Sequence, residues 1–176
     1  LSLSIYGCSN KDLEKETTSP EESTSVEETD TLTIRDYYPF VENNFYVFEG
    51  KGNEYASYSV FVDYMDENRI QTRTNNGGTE TIKVIEYRDN QLVRVLSREE
   101  TYFRDTFLDA SPDLEEILLK EPLTVGTSWT LPDGRKRFIS NIDMEITTPA
   151  SDYLALEVTT EGDNYTNYDY YVKNLG

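Results

Sequence analysis

Residues 58–78 read YSVFVDYMDENRIQTRTNNGG, and this stretch decides the fold. Tyr58, Val60, Val62 and Tyr64 alternate with Ser59, Phe61 and Asp63, the period of two that sends successive side chains to opposite faces of a strand. Asp66-Glu67-Asn68 breaks the run. Residues 69–74 then alternate again, with the long polar side chains Arg69, Gln71 and Arg73 turned outward. Asn75-Asn76-Gly77-Gly78 follows, and because Asn and Gly tolerate positive φ it reads as a hairpin turn.

The rhythm continues in both directions along the chain. Residues 79–87 form the next strand, Arg88-Asp89-Asn90 a turn, residues 91–97 another strand, and residues 101–104 a short fifth one. Further on, Trp129-Thr130-Leu131 and residues 135–148 flank a Pro132-Asp133-Gly134 turn. Ile142, Met144 and Ile146 are expected to share one face, as are Leu154, Leu156 and Val158, and then Tyr168, Tyr170 and Val172. One helix interrupts the strands. Ser111 can cap it, Pro112 suits its first position, and Asp113, Glu115 and Glu116 favour the positive end of its dipole. Leu114, Ile117 and Leu118 share its face, and Pro122 stops it. The predicted fold is mainly β: an antiparallel meander of about eight to ten strands forming a curved sheet or open barrel with one short helix.

The chain upstream is different in kind. Residues 9–31 contain no aromatic side chain and carry eight carboxylates (Asp12, Glu14, Glu16, Glu21, Glu22, Glu27, Glu28 and Asp30) against Lys11 and Lys15. Such a composition cannot bury enough surface to offset the entropy of ordering, so a disordered acidic Ser/Thr linker is expected there. Residues 32–176 hold nearly all of the 14 tyrosines and 7 phenylalanines and form the β-rich domain. Residues 1–8, Leu-Ser-Leu-Ser-Ile-Tyr-Gly-Cys, end in the chain's single cysteine. Ile5 and Gly7 stand three and one positions before it, as in the lipobox that ends a bacterial lipoprotein signal peptide. Cys8 is therefore the expected lipidation site; a terminal stretch with a stray cysteine is the bland alternative. A diacylglyceryl cysteine supplies the two acyl chains that stable anchoring needs, and a linker of this length would hold the domain roughly 25 Å from the surface.

Composition excludes several chemistries. With 34 acidic and 16 basic side chains the chain carries a net charge of −18, which phosphate backbones repel, so nucleic acid is not an expected partner. There is no histidine, which excludes Ser-His-Asp and Cys-His catalysis and imidazole-ligated metals. One cysteine excludes an intrachain disulfide and a cysteine-ligated cluster. No cofactor is expected.

Several segments carry a resemblance. Tyr37-Tyr38-Pro39-Phe40, Phe48-Glu49-Gly50-Lys51-Gly52-Asn53-Glu54-Tyr55, Glu121-Pro122-Leu123-Thr124-Val125-Gly126-Thr127-Ser128-Trp129, Ala155-Leu156-Glu157-Val158-Thr159-Thr160 and Asp169-Tyr170-Tyr171-Val172-Lys173-Asn174-Leu175-Gly176 are similar to the N-terminal domain of lipoproteins of clostridial type, from low-GC Gram-positive bacteria. Some of these carry a C-terminal GerMN module associated with sporulation and germination. The resemblance covers residues 32–176. It implies an extracytoplasmic lipoprotein, a link to sporulation or germination, and relatives that continue past the final glycine, so the domain is expected to be truncated at Gly176. It supplies no catalytic residues.

Candidate sites are few. Trp129, the only tryptophan, lines a ligand cavity or anchors the core, the commoner use of such a residue. Tyr168, Tyr170 and Tyr171 could offer aromatic platforms for a glycan, peptide or apolar ligand. Arg135-Lys136-Arg137 is the one basic cluster, able to meet an anionic polymer or simply exposed. The oxygen-rich segment from Glu161 to Asp169 lacks the spacing of a calcium loop and reads as a hairpin turn. The sequence therefore predicts a non-catalytic binding or spacer module of the cell envelope, lipid-anchored on the outer face of the cytoplasmic membrane. An envelope hydrolase using two carboxylates is the competing prediction.

Overall fold

The computed structural model describes residues 32–176. Cys8 and the acidic segment 9–31 lie outside the described residues. The chain opens with a single helical turn, α1 (Ile34–Tyr37). Thr33 starts it, donating through its backbone N–H and its hydroxyl to the Asp36 carboxylate at 2.7 and 2.8 Å.

Six strands follow: β1 (Phe45–Phe48), β2 (Tyr58–Met65), β3 (Arg69–Asn75), β4 (Glu80–Arg88), β5 (Gln91–Arg98) and β6 (Glu116–Lys120). They pair in chain order as one antiparallel sheet curled into a half-barrel. The predicted turns join them. At the β4–β5 corner Asp89 and Asn90 both adopt positive φ, 49° and 57°, the two-residue hairpin geometry that matches strand twist. Register slips at Val62/Tyr64, Val84/Ile85 and Leu92/Val93 add the bulges that curl the sheet. Four more strands, β7 (Ser128–Thr130), β8 (Lys136–Thr147), β9 (Asp152–Glu161) and β10 (Thr166–Val172), form a smaller antiparallel sheet ordered β10-β9-β8-β7. The predicted class, an antiparallel β meander with one short helix, is what the structure has: among the described residues, ten strands divided between two sheets, and α1.

The main core lies between the concave face of the large sheet and one face of the small one. Ile70, Ile85, Leu92 and Leu119 meet Ile139, Leu156, Val158 and Tyr171, with Ile34 and Tyr37 of α1 closing one end. Burying an aliphatic side chain of this size contributes roughly 1.5–3 kcal/mol. A second cluster sits on the convex face, where Val84, Val93, Val95 and Leu96 are covered by Phe107, Leu108 and Ala110. Those three belong to the long β5–β6 connection, residues 99–115, which lies across the convex face as a strap.

Four expectations need correction. The predicted helix around Ser111–Leu118 is absent: residues 111–115 are irregular and residues 116–120 form β6. Two helical turns are marginal without a partner face. As a strand, this segment instead pairs with β5 and sends Leu119 into the main core and Ile117 toward the convex cluster. Residues 101–104 are not a strand but part of the strap. The outward side chains of β3 do not meet water, since the strap buries Gln71 and Arg73. The phase of β10 is shifted by one: Tyr171 faces the core, while Tyr168 and Tyr170 are exposed.

Candidate binding site on the concave face

Residues directly opposite one another in the ladders share a face, so the register resolves the concave side of the large sheet into rows. One row runs Met65, Ile70, Ile85, Arg94, Glu116. The next runs Val62, Thr72, Lys83, Ser97, and a third Tyr46, Val60, Thr74, Thr81. The last is the pair Phe48 and Tyr58, whose rings stack at 4.7 Å. The face thus grades from aliphatic core through a charged and hydroxylated band to an aromatic rim. Phe48 and Tyr58 remain 43% and 38% exposed, so the rim is open to a ligand.

The small sheet faces this band with charges of its own. Arg137 on β8 is directly opposite Thr160 on β9, and Asp169 on β10 is directly opposite Val158, all on the inward side. Arg137 is buried, and each of its three nitrogens donates a hydrogen bond. Its Nε donates to the Thr160 hydroxyl at 2.9 Å, Nη1 to the Ile117 carbonyl at 2.8 Å and Nη2 to Glu116 Oε1 at 2.9 Å. The other oxygen of Glu116 accepts from Nη2 of Arg94. Asp169 stands 4.0 Å from Arg137. Water reaches half of its side chain, yet the protein atoms around it raise its carboxyl above the ordinary range, the nearby arginines opposing and Glu116 assisting.

Two cationic groups are not used up. The Nε of Arg94 is buried without a hydrogen-bond partner. Lys83, a diagonal neighbour of Arg94 in the adjacent row, joins none of the ion pairs found among the described residues. Burial lowers its ammonium below the ordinary lysine value, Arg94 pushes in the same direction, and Glu116 opposes. Three cations thus face two carboxylates here, an excess of positive charge inside a strongly acidic chain.

One side of the inter-sheet space is sealed. Trp129 Nε1 donates to the Ile117 carbonyl at 3.0 Å beside the Arg137 bond, and the Tyr171 hydroxyl reaches the Leu118 carbonyl at 3.5 Å. These bonds attach β6 to the small sheet. A separate open recess of about 720 Å³ lies outside, lined by Pro112, Asp113, Leu114, Glu115, Glu116, Leu131, Pro132, Asp133 and Arg135. Its one free-facing cation, Arg135, is held by Asp133 at 2.6 Å, so this recess is acidic and carries no unpaired positive group among the described residues.

No protein-family model, curated protein or solved structure matches this chain.

The four aromatic residues singled out from the sequence are not brought together. Trp129 is 6% exposed and Tyr171 9%, both in the main core, whereas Tyr168 and Tyr170 lie on the opposite face of the small sheet. The basic triplet is dispersed as well: Arg135 pairs with Asp133, Lys136 is exposed over the Phe138 ring, and Arg137 is interior. Residues 161–169 make the β9–β10 hairpin. Sequence reasoning missed Lys83, Arg94 and the Phe48–Tyr58 pair. A cation in the inward phase of residues 79–87 was the available signal, since Lys83 alternates in step with Ile85.

Proposed function

We propose that this chain is a non-catalytic binding module of the bacterial cell envelope, tethered to the outer face of the cytoplasmic membrane through a lipidated Cys8. Its ligand seats on the concave face of the large sheet, between the stacked Phe48–Tyr58 pair and the charged band. The observation that carries the reading is the row order of that face. An aromatic rim left open to water shares a face with a lysine that joins no ion pair of the described fold and an arginine only partly satisfied by Glu116, and a spacer needs neither. A rigid curled sheet with exposed aromatic area is sufficient for recognition without catalytic groups. The tether rests on the unique cysteine with its lipobox flank, and a role in sporulation or germination rests on the resemblance alone.

Binding is tested with N-phenylnaphthylamine, a neutral dye whose emission rises on apolar burial. The full chain is expected to bind it, and Tyr58→Ser to weaken it, while Tyr168→Ser on the far side leaves it unchanged. Absence of binding, or loss with Tyr168→Ser instead, would remove the concave face from consideration. Labelling with a fatty-acid analogue checks the anchor: the wild type should be marked and Cys8→Ser should not. Hydrolysis of envelope polymers, abolished by carboxylate-to-amide variants that stay folded, would replace the reading with the hydrolase.

A further inference from the structure

We infer that the concave face is built for an amphiphilic organic anion, whose carboxylate, phosphate or sulfonate head sits against Lys83 and Arg94 and whose apolar or ring portion lies on Phe48 and Tyr58. The inference rests on the proposed binding role of that face and names the chemistry of its ligand.

Lys83 and Arg94 are like charges on adjacent strands, diagonal neighbours across the β4–β5 ladder. Placing two cations side by side in a half-buried position is unfavourable unless an anion comes between them. The fold provides only a partial answer. Glu116 accepts from a terminal nitrogen of Arg94 and is shared with Arg137, the Nε of Arg94 is left without an acceptor, and Lys83 has no ion-pair partner among the described residues. A bound anion would accept from the Lys83 ammonium and lie within reach of the guanidinium. Nearby Thr72 and Thr81 add hydroxyls on the same face.

The distance to the aromatic rim sets the shape of the ligand. From the row of Lys83 to that of Phe48 and Tyr58 is four residues along β2, about 13 Å at strand rise. A bare inorganic anion would leave the rim unoccupied, and an uncharged apolar molecule would leave Lys83 without an acceptor. A molecule with both parts satisfies both ends.

A pair of dyes that differ by one charged group provides the test. Anilinonaphthalene sulfonate carries the ring frame of N-phenylnaphthylamine with a sulfonate added. The full chain should bind the sulfonate about tenfold or more tightly than the neutral dye, as one charge-assisted contact requires, and the preference should weaken with salt. Lys83→Met should erase the preference, bringing the affinity for the sulfonate down to no more than that for the neutral dye. The variant is expected to fold, because it deletes a cation that no carboxylate of the described fold needs, and its melting transition checks this. Equal affinity for both dyes, or a preference that survives Lys83→Met, would overturn the anion seat while leaving the binding face intact. Inorganic phosphate that displaces the sulfonate dye at matching affinity would overturn the contribution of the rim. If neither dye binds, it is the proposed binding face that fails.

Discussion

Gln71 is the side chain on which the strap over the convex face depends. It is fully buried; its amide nitrogen donates to the Asp105 carbonyl at 2.9 Å and its amide oxygen accepts from the Phe107 N–H at 2.7 Å. One side chain thus replaces a step of backbone ladder, pairing the strap to β3 without making it a strand. Arg69 and Arg73 do the same two residues to either side, Arg69 bonding to the carbonyls of Leu108 and Ala110 and Arg73 to those of Thr101 and Phe103. Gln71→Leu keeps much of the volume and removes both bonds at once. Each lost bond that leaves a buried backbone group unmet costs roughly 1–3 kcal/mol. The strap can lift to hydrate the orphaned groups, which caps the total at about 2–4 kcal/mol. That leaves a domain of ordinary stability folded.

The location of the damage is the sharper readout. Amide exchange should accelerate at residues 105–110 well beyond any global change, because the strap opens locally when its central bond is lost. Gln71→Glu should be worse. It keeps an acceptor for Phe107 but turns a donor into a carboxylate facing the Asp105 carbonyl, with Asp63 only 3.5 Å from the original amide nitrogen. A urea titration gives the first quantity and exchange mass spectrometry the second. If Gln71→Leu unfolds no more easily than wild type and leaves exchange in the strap unchanged, the strap is held by Phe107, Leu108 and Ala110 alone, and the reasoning fails.

Trp129→Ala should cost about 3–5 kcal/mol by opening the core, whereas Trp129→Phe should cost about 1 kcal/mol, since the Ile117 carbonyl keeps its bond from Arg137; thermal melts separate the two. Tyr168→Ser and Tyr170→Ser, on exposed positions of the outer face, should each change stability by no more than about 0.5 kcal/mol, and a larger loss would mean that this face is packed. Asp169 has a raised folded-state value, so its ionised form opposes folding. Asp169→Asn should therefore raise the melting temperature at neutral pH, and the advantage should vanish as pH falls through the folded value to below the ordinary 3.8. An advantage that grows on acidification would reverse the sign of that argument.

Local chemistry wrote the hairpins into the sequence. Asn75-Asn76-Gly77-Gly78, Asp89-Asn90 and Pro132-Asp133-Gly134 impose turns whatever surrounds them, and alternation between such turns leaves little choice but antiparallel strands. Legibility ended where a segment's conformation depends on a distant partner. The capping and acidic signals after Ser111 are genuine helix signals, outweighed by an open edge at β5 and by Arg137 waiting for a carboxylate at position 116. β10 shows the same limit in phase. Tyr168, Tyr170, Asp169 and Tyr171 are all compatible with either face, and only the register with β9 places Tyr171 opposite Leu156 in the core. The candidate site was hidden for a similar reason. Lys83, Arg94 and Tyr58 lie on three different strands, and no spacing in the chain announces that curling brings their rows together.

The charges between the sheets do not all have the same explanation. Glu116 and Arg137 are 10% and 8% exposed at their side chains and satisfy one another and their neighbours. Such a pair adds little over a well-packed apolar replacement, but losing either partner costs about 3–5 kcal/mol. It therefore holds β6 in one register against the small sheet and penalises alternatives. Arg94 is partly accounted for by the same network. Lys83 is not. It joins no ion pair of the described fold, sits half-buried beside another cation, and makes no hydrogen bond there. Methionine at this position would fill the row next to Ile85, and since burial and Arg94 together outweigh the attraction of Glu116 for the ammonium, it should not cost stability. On the proposed reading, this half-buried cation, on the same face as the aromatic rim, meets an anion that arrives from outside. The thermal check on Lys83→Met follows directly: it should melt no lower than wild type at neutral pH, and the difference should close as the pH approaches the ordinary lysine value of 10.5. A variant that melts lower would mean that Lys83 has a stabilising partner within the fold, and the case for an external one would lose its premise.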